Sequence, residues 1–157
     1  RDWSSDVCSS DLPEEDSEIV DLAKKNKIDL IKLATPTTNV ERLKKILKTC
    51  SGFLYYVAIK GITGSKSADP KLVKESIKSI KKNTTIPVAV GFGIKRPIDA
   101  ATIAKTGCDG IVVGSALVKI IENSLKNKKS KHNIALKVGN MVKNIKQKIK
   151  WIGLPSL

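Results

Sequence analysis

Four short apolar runs, at 28–34, 53–59, 86–90 and 110–113, each lead into a loop and then into a segment with helical patterning. The runs are rich in Ile, Val, Leu and Tyr, as buried strands are. Between them, 39–50 carries Val40, Leu43, Ile46 and Leu47 on one side, with Asn39 placed to cap it. Segment 13–26 opens on Glu14, Glu15 and Asp16 and closes on Lys24 and Lys25, charges that suit a helix macrodipole. Helices are also expected over 70–82, after Pro97 to a glycine stop at Gly107, and over 116–123. No hairpin signal separates the strands, and they are apolar on both faces. That pattern predicts a parallel sheet covered by helices. An open doubly wound sheet and a closed barrel share this alternation, so periodicity leaves the choice between them open.

Glycine placement favours the barrel. The third run stops at Gly91-Phe92-Gly93 and the fourth at Gly114-Ser115, each at the carboxyl end of a strand and before a helix. Free backbone N–H groups and the helix dipole attract an anion there. Loops after the seventh and eighth strands of a (β/α)₈ barrel are its recurrent phosphate site, and two glycine pairs in consecutive units fit it. A side chain at Gly93 or Gly114 is expected to obstruct close approach, and the Ser115 hydroxyl can add a hydrogen bond. The expected fold is therefore α/β, the C-terminal half of a (β/α)₈ TIM barrel, roughly strands 5 to 8 with their helices. A chain of 157 residues is short for a whole barrel, which takes ~250.

Composition narrows the function. The formal net charge is +14, but the charge is nearly all lysine spread along helix faces. In 134–149, Ile134, Val138, Met141, Val142, Ile145 and Ile149 fall near helical spacing with lysines between them, so a solvated lysine face is the expected reading. Aromatic content of 4% offers no stacking platform for single strands. No nucleic acid and no membrane partner is expected, and a cytoplasmic location is. Cys8, Cys50 and Cys108 lack metal or CxxC spacing and read as idle thiols. The single His132 reads as a surface residue.

Three motifs carry a family resemblance. Segment 55–64, reading YYVAIKGITG, segment 87–94, PVAVGFGI, and segment 110–119, GIVVGSALVK, resemble the tryptophan synthase alpha chain, in order and spacing. Leu33-Ala34-Thr35-Pro36-Thr37-Thr38 also looks like the family's fifth strand and following loop. The resemblance implies a barrel that cleaves indole-3-glycerol phosphate to indole and glyceraldehyde 3-phosphate. It implies a beta chain partner in an alpha2-beta2 heterotetramer, with pyridoxal phosphate held only by that partner and no cofactor in this chain. Carried over at matching positions, Gly64, Gly93, Gly114 and Ser115 hold the substrate phosphate, while Phe92 lines the indole pocket. Tyr55 faces the site from the sixth strand, and Thr63 and Gly64 belong to the loop that closes over substrate. Ala58 stands where the family often has serine, and Cys108 where a small residue such as alanine is common.

The catalytic pair is not assigned. Cleavage needs an acid to protonate the indole carbon and a base for the glycerol side chain. In the family these are an earlier glutamate and aspartate, expected in a missing N-terminal half. Asp29, Asp69, Asp99 and Asp109 have ordinary cap or surface readings, and Asp11 lines up with a family aspartate only at the end of an unusual leader. Residues 1–12 have a Ser/Asp bias and no lysine. They resemble translated sequencing adapter, so 1–12 is expected to be an artefactual leader and 13–157 a partial barrel domain. Two alternatives stand beside this reading: another phosphate-binding barrel such as indole-3-glycerol phosphate synthase, and a basic polyanion-binding module.

Overall fold

The computed structural model describes residues 17–58, 69–91 and 93–150. Helix and strand alternate as α1 (Ser17–Lys25), β1 (Lys32–Ala34), α2 (Val40–Thr49), β2 (Leu54–Val57), α3 (Pro70–Lys81), β3 (Val88–Gly91), α4 (Pro97–Ala104) and β4 (Gly110–Val112). Two helices, α5 (Ser115–Lys126) and α6 (Lys131–Lys150), complete the described chain. All strand pairs are parallel and the sheet order is β1-β2-β3-β4. An order that only advances is that of a barrel wall. A doubly wound sheet reverses direction at a switch point, and no reversal occurs here.

Register assigns the two faces. Ala34, Tyr56, Val90 and Ile111 are aligned across the sheet and pack into one core with Leu43 and Ile46 of α2, Val73, Ile77 and Ile80 of α3, and Ile145 of α6. Leu33, Tyr55, Ala89 and Gly110 are aligned in the alternate row and point to the opposite face. β2 records this directly: Leu54 and Tyr56 are buried, while Tyr55 and Val57 are half-buried. β3, in the middle of the sheet, is buried throughout. α6 lies mainly against α4, with Met141 and Ile149 packed on the core and Lys137, Lys143, Lys146 and Lys148 exposed. The solvated lysine face is therefore observed.

Helix ends follow local chemistry. Asn39 accepts from Arg42 N–H at 2.8 Å and Asp69 from Lys71 N–H at 2.8 Å, capping α2 and α3. Pro70 and Pro97 open α3 and α4, where their missing N–H costs nothing. Gly107 (φ 88°) closes the turn after α4, as expected. Two other helices end on lysines in the left-handed region, Lys27 (φ 56°) after α1 and Lys128 (φ 51°) after α5. In each the next residue reaches back, Ile28 to Ala23 O at 2.9 Å and Lys129 to Ser124 O at 3.0 Å. That is the Schellman pattern that usually employs glycine. Asp109 ties the amino-terminal side of the sheet together, accepting from Val88 N–H at 2.8 Å and from Lys81 Nζ at 2.7 Å.

Candidate functional site

The carboxyl ends of β2, β3 and β4 stand side by side, with Val57, Gly91 and Val112 in one register row. Gly93 leaves the sheet just past β3, and Gly114-Ser115 just past β4. Gly93 has φ +70°, and a Cβ built on it meets nothing within 4 Å. Its glycine is explained by backbone conformation. Gly114 differs. Its φ is −114°, open to any residue, and a Cβ there also meets nothing within 4 Å. Neither strain nor crowding among the described residues demands glycine at 114.

The helix that starts there has no side-chain cap. Gly114 occupies the N-cap of α5 with no side-chain hydrogen bond, and the first turn holds no acidic residue. Its carbonyl accepts from Leu117 and Val118 N–H at 2.9 and 3.1 Å, so helical bonding begins while the N–H groups ahead of Leu117 point outward. Ser115 is exposed and its hydroxyl sits in this first turn. By contrast, α2 and α3 each commit one N-terminal donor to a side chain, Arg42 N–H to Asn39 and Lys71 N–H to Asp69. At α4, the Asp99 carboxylate accepts from Arg96 N–H at 3.0 Å and pairs with the guanidinium at 2.8 Å. The Arg96 hydrogen bond holds the Asp99 carboxyl below its usual range.

The adjacent tyrosines go opposite ways. Tyr56 is buried between sheet and helices, and burial raises its pKa against a hydrogen bond with Ser76. Tyr55 lies on the other face, its ring over Gly91: a Cβ at Gly91 would overlap the Tyr55 hydroxyl, at 2.7 Å from Tyr55 Cζ and 3.2 Å from Val112 Cβ. Gly91 is thus glycine for packing rather than for an anion, a cause that the sequence did not disclose. Thr63, Gly64 and Phe92 lie outside the described residues, as do Cys8, Asp11, the whole leader and the tail from Trp151.

Other groups are otherwise engaged. Cys50 and Cys108 are buried free thiols, each raised in pKa chiefly by burial. His132 is exposed. Among the described residues no three His, Cys, Asp or Glu side chains are grouped to hold a metal, and no helix is long and apolar enough to cross a membrane. An open groove of about 420 Å³ between α5 and α6, lined by Ile120, Asn123, Lys137 and Met141, lies among the helices and includes none of the strand-end residues.

The family model described as tryptophan synthase alpha chain matches residues 6–150. The chain belongs to the tryptophan synthase alpha chain family. Curated relatives named tryptophan synthase alpha chain include that of Novosphingobium aromaticivorans, 49% identical over 115 residues, which cover 73% of this chain and 43% of the relative. That of Erythrobacter litoralis is 44% identical over 115 residues, covering 73% and 44%. Among solved structures, the alpha subunit from Legionella pneumophila superposes with a TM-score of 0.73 at 31% identity, covering 88% of this chain and 48% of that one. The tryptophan synthase a2b2 complex from Pyrococcus furiosus matches with a TM-score of 0.71 at 31% identity, covering 85% and 52%. The chain thus spans about half the length of these relatives, and its four parallel strands are half of a (β/α)₈ barrel. Membership sets aside both alternatives, the related synthase and the polyanion-binding module.

Proposed function

We propose that this chain supplies the substrate-phosphate grip of an indole-3-glycerol phosphate lyase of tryptophan biosynthesis. The uncapped N-terminus of α5, with Gly114 open to approach and Ser115 beside it, is the observation that carries the reading. A phosphate dianion there would accept the outward N–H groups and the Ser115 hydroxyl, and would sit at the positive end of the helix dipole. Gly93, past the neighbouring strand, gives backbone on the other side, and Gly64 is proposed to complete the grip. Phe92 is proposed to border the indole ring and Thr63 to belong to the closing loop. Tyr55, braced by Gly91 on the inner face, would flank the glycerol portion.

The reaction moves two protons. The indole C3 gains one, the hydroxyl on the adjacent side-chain carbon loses one, and the bond between those carbons breaks to give indole and an aldehyde. Four of the described aspartates are engaged elsewhere or lie away from the strand ends. Asp69 caps α3, Asp99 holds Arg96, and Asp109 holds Val88 and Lys81. Asp29 sits beside Gly52 at the amino-terminal side of the sheet, away from the strand ends. By the family resemblance, the acid and base are proposed to lie in other parts of a longer protein, and the chain alone is expected to bind without turning over. By family, a beta chain carrying pyridoxal phosphate is the proposed partner and consumer of the indole.

Calorimetric titration with indole-3-glycerol phosphate, and with inorganic phosphate, tests the grip. Binding is expected for the chain as given, and loss of binding in Gly114→Asp with the circular dichroism spectrum retained. Unchanged affinity in the folded variant would sink the assignment. Indole release by the purified chain would refute the placement of the acid and base elsewhere.

A further inference from the structure

The proposed grip is built from neutral groups. Gly64, Gly93 and Gly114 offer backbone, Ser115 a hydroxyl, and the α5 dipole about half a positive charge. A phosphate monoester carries about −1.5 to −2, so most of its charge is left without a counter-charge. On α5, Ser115, Lys119, Glu122 and Lys126 follow at steps of four, three and four, and so share one face. Helical side chains lean toward the N-terminus and cover the turn before their own Cα. Lys126 does this on the same helix: its Nζ reaches back four residues to the Glu122 carboxylate at 2.7 Å. Lys119 stands four residues after Ser115, one turn of ~5.4 Å, and is exposed. The one acid on α5 is Glu122, and it is turned to Lys126. Among the described residues no salt bridge holds Lys119, and the first turn of α5 contains no acid to compete for it. Arg96, past Gly93, is by contrast held by Asp99.

We infer that Lys119 is the counter-charge of the substrate phosphate, lying back over the first turn of α5 as Lys126 lies back on Glu122. This deepens, and rests on, the phosphate reading of the α5 terminus. An exposed ammonium beside a dianion adds a modest attraction that salt screens. The backbone donors and the Ser115 hydroxyl act instead at hydrogen-bond range, where bulk salt intervenes less. Lys119 therefore supplies the salt-sensitive share of the affinity, and the neutral donors supply the share that persists when salt is raised.

Calorimetric titration of the chain with indole-3-glycerol phosphate at ~0.05 M and ~0.5 M salt separates the two shares. Lys119→Gln should weaken binding about fivefold at the lower salt and less than about twofold at the higher. Lys119→Arg keeps the charge and should stay within about twofold of the parent. Lys129→Gln makes the same change in net charge past the far end of α5, ~18 Å from Ser115, and should also leave the affinity within about twofold. No loss in Lys119→Gln, a loss that salt does not shrink, or an equal loss in Lys129→Gln would overturn the inference. If Gly114→Asp abolishes binding while Lys119→Gln leaves it unchanged, the role of Lys119 falls and the grip stands. If Gly114→Asp has no effect either, or the parent does not bind, the grip falls and Lys119 with it. Circular dichroism retained in the variants separates loss of binding from loss of folding.

Discussion

The N-termini of α2, α3 and α4 are closed, and that of α5 is open. Asn39, Asp69 and Asp99 satisfy backbone donors at the first three, whereas Gly114 brings no side chain to the fourth. All four helices follow the carboxyl end of a parallel strand, so topology alone makes each an equal candidate for an anion. The caps decide. A carboxylate or carboxamide at an N-terminus stabilises the helix and occupies the donors that a phosphate would use. Leaving one bare costs the fold a few tenths of a kcal/mol to about 1 kcal/mol and leaves the positive end of the dipole without a side-chain partner.

Closing the open terminus is the strongest way to break this contrast. Gly114→Asp places a negative cap where the phosphate is proposed to sit. Affinity for inorganic phosphate should fall by two orders of magnitude or more, as a lost charge-assisted contact plus a new repulsion implies (about 3 kcal/mol or more), while the melting temperature holds or rises slightly. Ser115→Ala removes one donor and keeps the backbone site, so calorimetry should show a loss of about tenfold. Opening a closed terminus should do the reverse: Asp69→Ala is expected to cost about 1 kcal/mol in urea unfolding and to leave phosphate affinity within about twofold. If Asp69→Ala instead weakened phosphate binding as much as Ser115→Ala, the division between the two kinds of terminus would fail.

The smallest effect concerns pH. Hydrogen bonding to Arg96 lowers the Asp99 pKa in the folded state, so its contribution is present above the unfolded carboxyl pKa and disappears as pH falls through the folded one. The pair is largely solvent-exposed, with side-chain exposures of 72 and 28%, and solvent screening keeps its contribution small. Asp99→Asn should therefore be slightly less stable at neutral pH and indistinguishable from the parent in strong acid, read from urea midpoints across the acid range.

Much of the fold was legible because its signals are local. Asn39, Pro70, Pro97 and Gly107 mark helix ends at the places where the chain uses them, and the lysines between the apolar residues of α6 are exposed as its spacing implies. Of the proposed site, the position of Gly114 and Ser115 at an uncapped helix start was legible. Lys27 and Lys128 were not foreseen as left-handed helix stops, since lysine carries no preference for that region and only the bonds made by Ile28 and Lys129 reveal it. Nor was the reason for Gly91, because Tyr55 lies 36 residues away in sequence and meets it only across paired strands.

The amino-acid order by itself determined the alternation of strand and helix, the glycines at the strand ends and the apolar character of the runs, all consequences of neighbours along the chain. Tertiary structure decided what depends on distant partners. The advancing strand order turned an ambiguous alternation into a barrel wall. Register sent Tyr56 into the helix-side core and Tyr55 to the inner face. The caps placed on three helices and withheld from the fourth showed which of four similar strand ends keeps its donors available, because a hydrogen bond already made is unavailable to a ligand.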